Sequence, residues 1–378
     1  LTDPKADDEL TDEEMRLLQE SLGADAGSGA SSSAPARAGT ASSNPDIALI
    51  LDVAGAYFSQ DEPLQLGAHD PSSTGFNLQQ LEMSIGSNVD PFFRFDANLV
   101  FAQFGVEVEE AYATTLSLPA NLQLRAGQFL TKMGRLNPTH PHAWKFTDQP
   151  IVNGKFLGGE GSRGLGSELS LLVPLPWYVQ VVGSATMADG ECCARSFYAG
   201  DSLGVNGPED LVYTTRLEQF FELNTNWSML LGTTAQFGPN PTGQANRTEI
   251  YGADLYLRFR PIASVHRAAV SLQLEGMMRQ RQVPGRLLRD WGGYGQLVWT
   301  ITPQWETGAR HEFVTGIDDD PLDPDWDQTR QRSSAQLTWY PSHFSRLRLQ
   351  GSYTDHDDGL AAIIALEILV GAHGAHLY

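Results

Sequence analysis

The chain has 378 residues, 41% of them hydrophobic, and a formal net charge of −21 at pH 7. That charge argues against nucleic acid as a partner. No stretch approaches the ~18–20 apolar residues of a membrane-crossing helix, so any membrane role falls to strands.

The first residue is Leu1 rather than Met, which reads as a processed chain. Residues 1–43 form a domain of their own, an acidic tail. Asp3 to Asp25 holds nine acids against two bases, and 26–43 is a Gly/Ser/Ala/Pro linker. Within the acidic part, Thr11-Asp12-Glu13-Glu14 is a capping box, with Leu10 and Met15 placed as its hydrophobic staple. Leu18 and Leu22 continue an apolar stripe and Gly23 ends it, so we expect a short helix from about 12 to 22 on a flexible tether. One such helix cannot bury its own core. It either binds a periplasmic protein or stays solvated.

From Asn44 to Tyr378 the pattern has period two. Ile47, Leu49, Leu51 and Val53 alternate with smaller or polar residues, as do Val270, Leu272 and Leu274, and later Leu347, Leu349, Gly351 and Tyr353. Each run is about as long as a tilted strand needs to cross a bilayer. Connections alternate short and long. The short ones are 88–91, 118–121, 174–176, 224–226, 262–267, 302–304 and 341–343; the long ones are 60–74, 137–163, 187–210, 237–247, 282–290 and 316–332. Tight hairpins near Gly105 and Gly359 take the remaining places among the long loops. Aromatics flank the short turns: Phe92-Phe93, Trp177-Tyr178, Trp227, Trp305, Trp339-Tyr340 and Phe344. Aromatic girdles at the lipid boundary and short periplasmic turns account for that bias. The fold class expected is therefore all-β, a closed antiparallel transmembrane barrel of sixteen strands in a bacterial outer membrane. An even count puts both termini on the short-turn, periplasmic side.

Several segments carry a family likeness: VEVEEAY (106–112), LQLRAGQF (122–129), HPHAW (140–144), GGEGSRGLGSELS (158–170), LPWY (175–178) and GAHGAH (371–376). Asn121 to Gly134 resembles the fifth-strand region of phosphate-selective porins of the O/P type. A fuller likeness, over most of 44–378, is to the proteobacterial barrels labelled zinc-regulated TonB-dependent outer-membrane receptors; residues 1–43 are too short for a plug domain. The resemblance implies an outer-membrane barrel that passes solutes, and its label hints at divalent metal.

If apolar residues face lipid, the opposite parity faces the lumen. That rule places Arg94, Arg125, Arg216, Arg258, Arg279, Arg310 and Arg348 inside with Asp96, Glu218, Asp254, Glu275, Glu306, Glu312 and Glu367. Seven bases meet seven acids, so the lining is nearly neutral. Either it is a polar path with a transverse field, which we favour, or it is a set of ion pairs stiffening a filled barrel. Loop 137–163 follows the fifth strand, where porin-like barrels fold a constriction inward, and it carries His140, His142, Lys145, Asp148, Lys155, Glu160 and Arg163.

His140 and His142 are good zinc ligands by type, but no neighbouring Cys or carboxylate completes a set, so ordinary loop packing is expected. Gly158-Gly159-Glu160-Gly161 lacks the ending of a phosphate loop and reads as a tight bend. Asp318 and Asp320 lie in an acidic loop that departs from EF-hand spacing and reads as a solvated surface loop. His373 and His376, at i and i+3, are weak metal candidates too. Cys192 and Cys193 are adjacent: either a vicinal disulfide on an oxidising face or free thiols. No catalytic set stands out, and neither an enzyme nor a cofactor is expected.

The function expected is diffusion of small hydrophilic solutes or ions through an outer-membrane channel. Two alternatives stay open: a membrane anchor whose acidic tail recruits a periplasmic protein, and a divalent-metal (zinc) uptake channel. The partners are outer-membrane lipid, lipopolysaccharide and small solutes, with a homotrimer as one assembly to test.

Overall fold

The computed structural model describes residues 45–102, 105–188, 191–198, 205–243, 246–261 and 268–371. The expected tail helix and linker lie outside them, as do His373 and His376. Among the described residues sixteen strands run in order: β1 (Asp46–Phe58), β2 (Gly75–Asn88), β3 (Phe93–Ala102), β4 (Gly105–Thr115), β5 (Leu122–Leu130), β6 (Arg163–Leu172), β7 (Tyr178–Thr186), β8 (Val212–Asn224), β9 (Trp227–Pro239), β10 (Arg247–Phe259), β11 (Ala269–Val283), β12 (Arg286–Thr302), β13 (Trp305–Val314), β14 (Arg330–Ser342), β15 (Ser345–Thr354) and β16 (Gly359–Gly371). Each pairs antiparallel with its sequence neighbours, and β1 closes the barrel on β16. Closure leaves no unpaired sheet edge, which is the condition for strands to cross lipid.

Polarity is inverted relative to a soluble domain. Leu217, Leu297, Leu349, Ile364 and Ile368 are exposed on the outer face, while Arg279, Arg281, Arg332 and Arg348 are among the largest fully buried side chains. An apolar exterior around a charged interior needs lipid outside, and the chain is a transmembrane barrel. Of the short-turn aromatics, Phe92, Phe93, Trp177, Trp227, Trp305, Trp339 and Phe344 are exposed, whereas Tyr340 is buried with its hydroxyl toward Glu306. Trp305 and Trp339 stack across β13 and β14 at 6.2 Å, and Trp227 lies 4.8 Å from Phe259. No helix among the described residues is long and apolar enough to cross a membrane.

One connection differs from expectation. Residues 282–290 are not a loop: β11 and β12 run through 15 and 17 residues and meet at a two-residue turn, Pro284-Gly285, with Gly285 at φ 74°. Their polar residues look loop-like in sequence because Arg279, Arg281 and Asp290 point inward and pair with one another.

Among the described strands the register shifts at five places; three lie beside short turns, and two lie farther from them. Opposite Asp52-Val53 the register skips Gln79, and opposite Asn98-Leu99 it skips Glu109. A bulge lets two consecutive residues share a face. Gln79 with Gln80, and Glu109 with Glu110, are accordingly all buried in the interior.

The apolar core sits inside the barrel, toward the end of the long connections. There α1 (Ile151–Leu157) packs Ile151, Val152 and Phe156 against Phe197 of α2 (Glu191–Tyr198), Met277, Val314 and Trp326.

Candidate functional site: a charged constriction inside the barrel

The β5–β6 connection, residues 131–162, folds back into the barrel. Its entry turns at Gly134 (φ 71°), where any Cβ would collide with the Glu275 carboxylate of β11. Glu275 Oε2 accepts the backbone N–H groups of Arg135 (3.3 Å) and Leu136 (3.2 Å) and the Tyr294 hydroxyl (3.0 Å).

The segment then crosses the lumen along β13–β15, and its alternate carbonyls meet a row of arginines. Arg346 donates to His142 O (2.6 Å) and Trp144 O (3.0 Å), Arg348 to Phe146 O (3.0 Å), and Arg310 to Asp148 O (2.9 Å). Arg332 reaches Gln149 O at 2.8 Å. Each guanidinium also has an acid partner: Arg310 with Asp148 (2.5 Å) and Glu312 (3.1 Å), Arg332 with Glu312 (2.8 Å), Arg346 with Glu367 (2.6 Å), Arg348 with Asp52 (3.4 Å). Burial would raise the Asp148 carboxyl, but Arg310 and Arg332 outweigh it and hold it below the ordinary carboxylate range. Lys145 pairs with Glu306 at 2.9 Å, and the Ile151 N–H opens α1 by donating to Glu312 (2.6 Å).

A second network joins the far end of the loop to the mouth. Arg279 contacts Asp290 (2.6 Å) and Asp323 (2.5 Å), Arg281 binds Asp323 and Asp320, Arg195 reaches Asp323 (2.8 Å), and Lys155 lies 3.0 Å from Asp290. The 315–329 connection is therefore not simply a solvated acidic loop. Asp320 and Asp323 are buried counter-ions of β11 arginines, so Asp320 is an ion-pair acceptor, whereas Asp318 stays exposed.

On the remaining wall Arg125 pairs with Glu168 (2.9 Å), and Arg216 holds both Asp254 (2.7 Å) and Glu218 (2.9 Å). Nearer the short turns, Arg94 pairs with Asp96 (2.7 Å), and Arg258 takes the inward parity of β10. Of the fourteen residues read from parity, Arg216, Glu218, Asp254, Glu275, Arg279, Glu306, Arg310, Glu312, Arg348 and Glu367 are buried, and Arg94, Asp96, Arg125 and Arg258 are half-buried. The same rule covers Asp52, Arg332 and Arg346, which the sequence reading left out. Arg163 binds Glu107 and donates to Cys193 Sγ; Cys193 is disulfide-bonded, and the chain's only other cysteine is Cys192.

The histidines correct an expectation. His140 has carboxylates on both sides: Nδ1 lies 3.0 Å from Glu109, Nε2 lies 2.9 Å from Glu110, and Glu82 is 3.8 Å away. His142 meets Glu82 at 2.9 Å and stacks on His140, with ring centroids 5.6 Å apart. Burial lowers the His140 imidazole, but Glu109 and Glu82 outweigh it and hold it well above its ordinary range. The completing acids come from β2 and β4, far off in sequence. His69, from the β1–β2 connection, faces Glu160 at 3.3 Å. No local pattern marks it.

With this geometry the chain can be set beside known proteins. No family model matches it. An uncharacterized protein of Aquifex aeolicus is 29% identical over 375 residues, covering 88% of this chain and 79% of the relative. Among solved structures, the outer-membrane channel DcaP of Acinetobacter baumannii superposes with a TM-score of 0.57 at 12% identity, covering 89% of this chain and 100% of that one. OprB of Pseudomonas putida gives 0.57 at 10% identity over 86% and 94%, and OmpF of Salmonella typhi gives 0.52 at 8% over 86% and 97%. The fold is that of outer-membrane channel barrels. At these identities the likeness speaks for the fold alone.

Proposed function

We propose that the protein is a porin-like channel of a bacterial outer membrane, admitting small hydrophilic solutes or ions past a fixed internal constriction, with both termini periplasmic. The observation that carries this reading is the 131–162 loop, held across the lumen by Arg310, Arg332, Arg346 and Arg348. A barrel that served only as an anchor has no need of a charged crossbar inside it. Basic groups on β13–β15 interleave with acids on the loop, β1, β13 and β16, and a path lined by such mixed charge favours polar solutes over apolar ones. The solved barrels of similar fold include proteins described as channels, which agrees with this reading.

Single-channel recording in planar bilayers tests it. Wild-type protein should give small, discrete conductance steps, and Arg310→Ala with Arg332→Ala should enlarge them by freeing the loop. If both proteins insert as folded barrels and neither conducts, the channel reading fails.

A further inference from the structure

Three segments distant in sequence converge on one point inside the barrel: the β1–β2 connection with His69, the bulge of β4 with Glu109, and the end of the constriction loop with Glu160. One nitrogen or oxygen from each lies within 4.8 Å of the other two. Glu109 is 3% exposed and the Glu160 side chain 6%. Beside them is a cavity of about 20 Å³ lined by His69, Asp70, Glu109, Asn137, Asn153 and Glu160, room for one water or ion.

Two atoms there lack hydrogen-bond partners. His69 Nε2 and Glu160 Oε2 are buried and face each other at 3.3 Å without hydrogen-bond geometry. Glu160 Oε2 meets the His69 ring nitrogen at 3.3 Å and Arg163 Nη1 at 4.0 Å, neither in good hydrogen-bond geometry, and a buried carboxylate oxygen held so loosely is costly. The other ring nitrogen, His69 Nδ1, lies 3.4 Å from the carbonyl of Gln79, the residue that the β1–β2 register skips. That contact makes Nδ1 the donor and leaves Nε2 facing the cavity and Glu160, the orientation common to metal-bound histidines; a bound metal would displace the proton that Glu160 favours on Nε2. Glu109, whose Oε2 already meets His140 Nδ1 at 3.0 Å, would be a ligating carboxylate held in turn by an outer imidazole.

We propose that His69, Glu109 and Glu160 bind a divalent first-row transition metal, with water as a fourth ligand and His140 as the outer partner of Glu109. Edges between ligands of a tetrahedral site with bonds of 2.0–2.2 Å are about 3.3–3.6 Å, so His69 and Glu160 are already at the right separation. One imidazole with two carboxylates suits zinc and its neighbours better than calcium or magnesium, which take oxygen ligands throughout. The neighbouring set of His140, Glu82 and Glu109 is less suited, because its imidazole is engaged on both nitrogens. A bound ion would tie the constriction loop to the β1–β2 connection and the β4 wall. The inference does not rest on the channel reading, since it concerns binding and not flux.

The test is equilibrium binding of Zn²⁺ and of Co²⁺ to folded, untagged protein in detergent. Wild type should take up one equivalent, and Co²⁺ should give the visible absorption of a tetrahedral site. His69→Gln and Glu160→Gln should each weaken binding at least tenfold, and His140→Gln by about ten- to a hundredfold. His373→Gln with His376→Gln should leave binding unchanged. Absence of a stoichiometric ion in wild type overturns the proposal, whatever the variants do. So does binding that survives His69→Gln in protein that still migrates as a folded barrel, or that disappears in the His373/His376 variant.

Discussion

Arg310 of β13 and Asp148 of the constriction loop are joined twice: Nη2 lies 2.5 Å from Oδ1, and Nη1 donates to the aspartate's own carbonyl at 2.9 Å. Both side chains are almost wholly buried. Asp148 also takes Arg332 (3.0 Å) and Gln350 (2.8 Å), so one carboxylate collects three neighbouring strands. Asp148→Ala would leave Arg310 and Arg332 to share the single carboxylate of Glu312, and the cost should fall below the roughly 3–5 kcal/mol of a buried charge left with no partner. No strand pairing depends on Asp148. The expected outcome is an intact barrel with a released loop, seen as new protease cleavage within 131–162. Cleavage no faster than in wild type would show that the apolar contacts of α1 hold the loop alone.

Lys155 gives the constriction a dependence on pH. Burial, with Arg279 adding to it, lowers the Lys155 ammonium to about 8 although Asp290 opposes the shift. A lysine whose folded value lies below its unfolded value of about 10.5 weakens the folded state while it is charged in both states, below pH ~8. That penalty is relieved as pH rises from about 8 toward 10.5, so docking of α1 should tighten over this window. Hydrogen exchange at the α1 amides, corrected for intrinsic rate, should slow with pH in wild type and stay level in Lys155→Met. A wild-type trend in the opposite direction would mean that the Asp290 pair dominates.

The inverted polarity of the wall yields a paired test. Leu349 sits mid-strand in β15, exposed to lipid, and Arg348 beside it is buried among loop carbonyls and Asp52. A basic residue on the lipid face near the bilayer midplane costs roughly 2–4 kcal/mol. Leu349→Arg should therefore lower the urea midpoint of unfolding in lipid vesicles. Arg348→Gln should chiefly loosen the loop. If the two variants are indistinguishable in stability and in loop cleavage, the assignment of faces on β15 is wrong.

The strands and short turns were legible because their signals are local: alternation within ten residues, and Asn, Asp or Pro beside aromatics at one end. The inward arginines were legible by the same parity. What they grip was not, because Arg310 and Arg346 hold backbone carbonyls, and a carbonyl has no sequence signature. The turn at Pro284-Gly285 was hidden because a strand with polar residues on its inner face resembles a loop in composition. His140 was misjudged because its acids lie on β2 and β4. Glu109 and Glu110 break the very alternation that would have placed them, since the bulge between β3 and β4 turns both inward.

Selectivity separates the lumen from the loops as sources of field. Net charge of −21 alone favours strong cation preference. Yet Asp318 and Asp319 are exposed on a loop, where charges are screened over about 8–10 Å at physiological salt. Arg125 pairs with Glu168 in a largely buried contact that salt screens less, and Arg94 pairs with Asp96 in a more open one. Wild type should show modest cation preference at low salt that fades as salt rises. Arg94→Gln with Arg125→Gln leaves two lumen carboxylates without their arginines, and should shift selectivity toward cations more than Asp318→Asn with Asp319→Asn shifts it away. Reversal potentials across a KCl gradient, measured for all three proteins, decide the matter. A larger shift in the loop variant at high salt would place the selectivity filter at the mouth and not at the inner wall.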